Sequence, residues 1–213
     1  MNTSDKTEGL RERKKRATRQ HISNEATKLF IARGFDQVTI TDVADAANVS
    51  KMTVFNYFSR KEELFFDRSE DICRLLSGAL DGRDQRSPLA ALRALAHGLV
   101  EQEHPIARMD EVVATYWRAV AESVSLHAYA LELLQQLEGK LGDMLCASAG
   151  EPADDPIARL IAAIIVNAWR IAFRQALNLP PSTTAVAPRR LFLKIIDRGF
   201  TAADAAAQGT SYA

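Results

Sequence analysis

Apolar side chains recur at helical spacing through almost the whole chain, and no segment shows the alternation of a half-buried strand. The pattern is most informative over residues 39–64, where two short apolar faces are separated by a tight turn. The first face has the spacing i, i+3, i+4, i+7 and consists of Ile40, Val43, Ala44 and Ala47. The chain is therefore predicted to be all-α, with a pair of short helices in this stretch.

Three residues between the two short helices have the properties of a tight turn. Asn48 stands where the first helix must end, and asparagine tolerates the left-handed backbone better than any residue except glycine. Val49 offers an apolar side chain to the turn, and the hydroxyl of Ser50 can cap the next helix. That helix is predicted over residues 51–58. Two helices joined in this way are typical of a helix-turn-helix, whose second helix enters the major groove of DNA.

Positive charge is concentrated around this helix pair. Residues 11–61 contain eleven Lys and Arg against five Asp and Glu, a net charge of +6 in a chain whose formal net charge is zero. Positive charge of this kind favours binding to a DNA duplex, because binding releases the counterions condensed on the phosphates. The segment begins with a basic arm, which is either a solvated tail or an additional contact to phosphates or the minor groove. The arm contains Arg13, Lys14, Lys15, Arg16 and Arg19.

Helix-ending signals divide the rest of the chain into further helices. The first helix is predicted over residues 16–33. Ser59 and Glu62 have the spacing of a capping box, which predicts a fourth helix over residues 60–80. Lys61 would lie in the first turn of that helix, where backbone amides favour an anion. Prolines, glycines and polar loops delimit the remaining helices at about 88–103, 106–120, 123–147, 156–179 and 188–206, with one break near residue 121 that the pattern does not place.

These helices predict three regions within the 213 residues. Residues 1–12 lack apolar periodicity and are expected to be disordered. Residues 13–60 are expected to form an N-terminal three-helix domain with the helix-turn-helix. Residues 61–213 are expected to form a larger C-terminal helical bundle that binds ligand and dimerises, and the chain is long enough for both cores.

Composition argues against several classes of protein. Hydrophobic residues make up 47% and charged residues 25%, which is ordinary for a soluble protein. The beginning of the chain lacks the apolar core of a secretory signal, and three arginines interrupt the most apolar run, residues 157–179. We therefore expect a cytoplasmic protein with no membrane partner. The two cysteines have no CxxC or histidine cluster around them, and no catalytic constellation is visible. We therefore expect that the protein is not an enzyme and that it has no metal site and no cofactor.

The motif VSKMTVFNYFSRKEEL, preceded by TITDVADAA and by LFIARGF, resembles the amino-terminal domain of the tetracycline-repressor (TetR) family of transcriptional regulators. The family pattern is close to LFxxxGFxxTTxxxIAxxAGVSxGTLYxYFxSKEEL, and the match is continuous over residues 17–66. The resemblance implies a homodimeric regulator, usually a repressor, that binds palindromic operator DNA through a recognition helix at about residues 51–57. It also implies a small-molecule effector that releases the DNA.

Carried over by position, the resemblance implies a set of DNA contacts. Lys61 would be the phosphate-binding lysine, and Lys51 is the best candidate for reading guanine. Asn56 would contact either adenine or a phosphate. The full set is Thr41, Ser50, Lys51, Met52, Thr53, Phe55, Asn56, Tyr57 and Lys61.

The chain departs from the family pattern at three positions. Asn48 replaces the usual turn glycine, which its tolerance of positive φ allows. Met52 stands where a small residue is common, so its long side chain would either meet a thymine methyl or change the docking depth. Phe55 replaces a frequent tyrosine and lacks its hydroxyl, which puts a polar contact at this position in doubt.

For the second domain, the resemblance implies a dimer built from the last two long helices, about 156–179 and 188–206. Both are apolar on more than one side, so each must bury more than one face. A two-fold dimer would match a palindromic operator. The candidate effector pocket consists of His97, Met109, Tyr116, Trp117, Trp169 and Phe173, and ordinary core packing is the alternative for each.

The residues alone are also compatible with two other functions. The chain could be a DNA-binding regulator without an effector, or an activator. It could also be a helical scaffold or enzyme whose basic end has no DNA partner.

Overall fold

The computed structural model describes residues 9–67, 69–179 and 186–213. These residues form nine α-helices, with 3₁₀ turns at Lys61–Leu64 and Pro105–Ala107, and they contain no β-strand. The predicted all-α fold class is therefore confirmed. In chain order the helices are α1 (Leu10–Arg33), α2 (Ile40–Ala46), α3 (Lys51–Tyr57), α4 (Ser69–Asp81), α5 (Pro88–Glu101), α6 (Glu111–Glu122), α7 (Val124–Ala149), α8 (Pro156–Leu177) and α9 (Val186–Ala206).

The chain divides into two compact units. One unit comprises Met1–Asp67 and Arg118–Ala130, and the other comprises Arg68–Trp117 and Leu131–Ala213. The first unit therefore contains α1, α2 and α3 together with the end of α6 and the beginning of α7. Ser123 separates α6 from α7, and its hydroxyl accepts a hydrogen bond from the backbone N–H three residues later at 3.4 Å.

Helix α1 begins earlier than the sequence pattern predicts. Of the tail expected to be disordered, residues 1–8 lie outside the described part of the chain, whereas Leu10 begins α1. The basic arm is consequently the exposed first part of a helix and not a separate extended segment.

The prediction of a continuous helix over residues 60–80 is wrong. Lys61–Leu64 forms a 3₁₀ turn, and α4 begins only at Ser69. The side chain of Leu64 is fully buried, and its carbonyl accepts a hydrogen bond from Ser23 Oγ at 3.0 Å. Burial of Leu64 and this hydrogen bond fix the end of the 3₁₀ turn on α1.

The capping box predicted at Ser59 and Glu62 does not form. The backbone N–H and the hydroxyl of Ser59 donate to the two carboxylate oxygens of Glu63, at 2.9 and 2.6 Å. Glu62 was expected in this role. Because Arg60 is the residue that precedes the 3₁₀ turn, Glu63 and not Glu62 occupies the third position after the cap.

In the second unit, α8 and α9 pack closely along their length. The two helices approach closely at Gly199, where an added Cβ would lie 2.3 Å from the Cβ of Ala168. By length and composition alone α8 could span a membrane, but a core helix of a soluble protein passes the same test. The buried faces of the two helices consist of Ala158, Ile161, Ala162, Ile165, Val166, Ala172, Phe173 and Ala176 on α8, and Phe192, Ile196, Phe200 and Ala203 on α9.

Substitution of Gly199 tests this close approach. Gly199→Ala should lower the free energy of unfolding by about 1–3 kcal/mol, because the new methyl overpacks the contact with Ala168. Chemical denaturation followed by circular dichroism measures the change.

Gly139→Ala is the matched control, since this helical glycine of α7 has no atom within 4 Å of an added Cβ. It should be stabilising by up to about 1 kcal/mol, because alanine favours the helix. Equal effects of the two substitutions would contradict the tight packing of α8 on α9.

Candidate nucleic-acid interface

Helix α2 begins with a reciprocal cap that the sequence analysis missed. Thr39 Oγ1 accepts from the N–H of Asp42 at 3.2 Å, and the Asp42 carboxylate accepts from the N–H of Thr39 at 2.7 Å. The Thr39 hydroxyl hydrogen bond lowers the pKa of Asp42, and Arg33 at 3.5 Å acts in the same direction. The T-x-x-D spacing of residues 39–42 is the sequence pattern from which this cap could have been predicted.

The turn between α2 and α3 has the geometry that the sequence predicts. Asn48 adopts a φ of 52°, in the left-handed region, and the N–H of Val49 donates to the carbonyl of Ala44 at 2.9 Å. Ser50 Oγ accepts from the N–H of Thr53 at 3.0 Å and so caps α3. These contacts set the path by which the chain enters α3.

Helix α3 is held against α1 at its far end. The guanidinium of Arg19 donates to the carbonyl of Tyr57 and lies 4.2 Å above the ring centroid of Phe58. His21 Nε2 lies 3.2 Å from the carbonyl of Ala47, which ties the end of α2 to the same helix. The basic residue Arg19, which the sequence placed in the arm, therefore positions α3 from within the unit.

Burial of one side of α3 decides which residues face outward. Val54 and, just after the helix, Phe58 are at most 2% exposed. On the opposite side Met52 is 68% and Phe55 is 54% exposed. Of the other predicted contacts, Ser50, Lys51 and Asn56 are exposed, whereas Thr41, Thr53 and Tyr57 are half-buried.

Lys61 lies partly within the core of this unit. Its ammonium donates to the carbonyl of Phe35 at 2.6 Å and lies 4.2 Å from the centroid of the Phe35 ring. Burial lowers the pKa of Lys61, while Asp36, Glu62 and Asp42 oppose that change. An ammonium has three N–H donors, so the contact to Phe35 leaves donors for an anion.

The corner between α6 and α7 packs within the same unit, which the sequence did not indicate. Ser123 Oγ donates to the carboxylate of Asp36 at 3.1 Å. The guanidinium of Arg60 lies 4.6 Å over the ring of Tyr129, which also packs on Phe66 at 5.8 Å. Residues far apart in the chain thus brace the region around the 3₁₀ turn.

In the second unit, four of the predicted effector-pocket residues belong to one chain of aromatic contacts. Met109 packs against the core of the unit. His97 instead lies with its Nε2 within hydrogen-bond distance of the Asp197 carboxylate on α9, at 2.8 Å, and close to half of its side chain is exposed. The aromatic chain runs Tyr116–Trp117–Phe173–Phe192–Trp169, with ring centroids 4.9–6.3 Å apart.

The second unit also has a cleft of about 350 Å³ that none of the six predicted pocket residues lines. Polar groups at its wall include the ion pair between Arg74 and Asp71 and the ring of His104. Among the described residues, no group of three or more His, Cys, Asp or Glu could hold a metal ion. The lining residues are Asp71, Arg74, Leu75, His104, Pro105 and Ile106.

Comparison with known proteins shows which family and which individual proteins this chain resembles. Residues 22–67 match the model for bacterial regulatory proteins of the tetR family. The chain is 28% identical over 172 residues to the HTH-type transcriptional regulator TcmR of Streptomyces glaucescens, with 78% of this chain and 76% of TcmR covered. The resemblance found in the sequence is thereby confirmed, as is the prediction of a regulator and not an enzyme.

Solved structures show the same fold. NalD, the secondary repressor of the MexAB-OprM multidrug efflux pump in Pseudomonas aeruginosa, aligns with a TM-score of 0.56 at 18% identity, covering 86% of this chain and 97% of NalD. FadR of Thermus thermophilus, a repressor solved in complex with lauroyl-CoA, aligns with a TM-score of 0.51 at 22% identity, covering 85% of this chain and 94% of FadR.

Proposed function

We propose that this chain, a transcriptional regulator of the tetR family, is a cytoplasmic homodimeric repressor that binds a palindromic operator and is released by a small molecule. The observation that carries the proposal is the outward face of α3, held by α1 and the capped turn within a segment of net charge +6. Such a face on a basic unit suits the major groove and its flanking phosphates.

The polar DNA contacts predicted from the sequence divide into two roles in this proposal. Lys51 at the start of the helix reads guanine through O6 and N7, and Asn56 contacts adenine or a phosphate. The hydroxyl-bearing residues at the helix ends and Lys61 contact phosphates, which set the register of the protein on the duplex without specifying sequence. Those hydroxyl-bearing residues are Thr41, Ser50, Thr53 and Tyr57.

Lys61→Gln tests the phosphate role. The variant should bind operator and non-operator duplexes more weakly by a similar factor, because phosphates are common to all sequences. The slope of log K against log salt should fall by about 0.9 for each lost contact, and so by about 1.8 for a dimer. Fluorescence anisotropy at several salt concentrations measures both effects.

Lys140→Gln is the control for the loss of one positive charge, since Lys140 is exposed on α7 in the second unit. Its salt slope should equal that of the wild type. Because Lys61 also bonds the carbonyl of Phe35, a denaturation curve must first show that Lys61→Gln is folded. A folded variant with an unchanged slope would refute the phosphate contact.

A stripe of α8 that is left partly exposed supports a homodimer. Leu160 is 49% and Ile171 is 38% exposed, and they lie on one side of the helix because eleven residues make just over three full turns. Ile164, between them, is half-buried on the same side. An apolar stripe of this kind is favourable when a second copy covers it, and a two-fold pair of copies suits a palindrome.

Ile171→Asp tests the dimer. It should shift the protein towards monomer, because burying a carboxylate in an apolar interface is costly. Operator affinity should fall by roughly tenfold or more, which corresponds to at least 1.4 kcal/mol. Sedimentation equilibrium and anisotropy measure these quantities.

Val112→Asp is the control, since Val112 is 68% exposed on α6 and outside the stripe. It should remain a dimer with normal affinity. A dimeric Ile171→Asp protein would show that this face of α8 is not the interface.

The aromatic chain in the second unit supports a small-molecule effector. Trp117 is partly exposed while its neighbour Phe173 is buried, so an apolar or aromatic compound could pack on the exposed part of Trp117. The similar FadR was solved with lauroyl-CoA, which fits the proposal that this chain also takes a small molecule. Effector binding would favour a dimer whose recognition helices are not about 34–36 Å apart, the separation of successive major grooves.

A thermal-denaturation panel of apolar and aromatic compounds tests the effector. A true effector at 100 times its Kd should stabilise the protein by about 2.7 kcal/mol and release the operator. Trp117→Ala should lose both responses, and Val112→Ala should keep them. Stabilisation that leaves DNA binding unchanged, or no response across the panel, would favour a regulator without an effector.

A further inference from the structure

The outward face of α3 contains two large apolar side chains. Met52 and Phe55 are three residues apart, which places them as neighbours on one side of a helix. Their exposed fractions of 68% and 54% contrast with the buried Val54 and Phe58 on the other side. Neither exposed side chain contributes to the core that holds α3 on α1.

The surroundings of this apolar pair limit what can cover it. Lys51 and Asn56 flank it and are exposed, and the segment around it has a net charge of +6. Two side chains are too few for a stable protein interface, which buries about 800 Å² on each partner. The charge instead complements a polyanion, and a DNA duplex offers the apolar pair a specific contact.

The major groove presents one apolar group, the 5-methyl of thymine. Cytosine has only a hydrogen at the same ring position, and the polar groups on the base edges in that groove are hydrogen-bond donors and acceptors, for which a thioether side chain or a phenyl ring is a poor partner. Phe55, which lacks the hydroxyl of the tyrosine frequent at this position, has only hydrocarbon to offer. Contact with a methyl removes apolar surface from water on both partners.

We propose that Met52 and Phe55 are specificity-determining residues that recognise thymines in each operator half-site through their 5-methyl groups. This inference rests on the proposed function, because it requires that α3 enters the major groove. It assigns the two departures from the family pattern a common role. Lys51 and Asn56 then provide the polar part of recognition, and the apolar pair distinguishes thymine from cytosine at its own positions.

Replacing thymine by uracil tests the proposal, since uracil differs from thymine only by the loss of the methyl. Duplexes bound by the purified wild-type protein are first selected from a random library. Each thymine of the selected half-site is then replaced in turn by uracil, and the affinity is measured by anisotropy. Each contacted methyl should be worth about fourfold in affinity, which corresponds to about 0.8 kcal/mol for one buried carbon group.

Variants show whether the two side chains are responsible. Met52→Ala and Phe55→Ala should each bind thymine and uracil duplexes with equal affinity at one position of the half-site. Because both side chains are exposed, alanine should leave the fold intact, which a denaturation curve can verify. Ile31→Ala is the matched control, since Ile31 is an exposed apolar residue of α1, and it should keep the full preference for thymine.

The outcomes separate this inference from the proposed function. Wild-type protein that binds the selected duplex equally well with thymine or uracil would overturn the inference while leaving the DNA-binding function in place. A thymine preference that persists in both alanine variants would also overturn it. If the protein selects no duplex, even at low salt, the proposed function fails and the inference fails with it.

Discussion

The orientation of α3 is the constraint on which the rest of the DNA-binding unit depends. A seven-residue helix is too short to be stable alone, so its neighbours must fix its direction and rotation. Val54 anchors its inner side in the core, and Arg19 bonds its last carbonyl and covers Phe58. At the other end, the left-handed Asn48 and the cap at Ser50 determine where the helix begins. Because these contacts fix the rotation of α3 about its axis, its outward residues lie together on one exposed side.

Charge is distributed unevenly along the chain. The formal net charge is zero, but residues 11–61 carry a net charge of +6 and the compensating acidic residues lie outside that segment. Within the basic segment some charged groups serve the fold, as Arg19 does on α3 and as Lys61 does on the carbonyl of Phe35. The basic side chains along the first part of α1 and that of Lys51 are instead exposed to solvent.

In the second unit, packing between α8 and α9 depends on small residues at the contact. Gly199 opposite Ala168 permits an approach that any larger pair would prevent. The inner faces of both helices then form the core, and a stripe that includes Leu160 and Ile171 stays partly exposed on α8. One helix thus has an inner face that stabilises the unit and an outer face suited to a second copy.

The sequence by itself determined the helices, the turn at Asn48 and the cap at Ser50, because periodicity, backbone tolerance and capping are local properties. It also indicated the family, whose motif is continuous in the chain. Only the tertiary structure decided that Lys61–Leu64 forms a 3₁₀ turn held to α1 by the hydrogen bond from Ser23, and that α4 begins at Ser69. It alone joined residues 118–130 to the first unit and paired His97 with Asp197. These contacts join residues 40 to 100 positions apart, and no local pattern in the chain encodes which distant partner a side chain will meet.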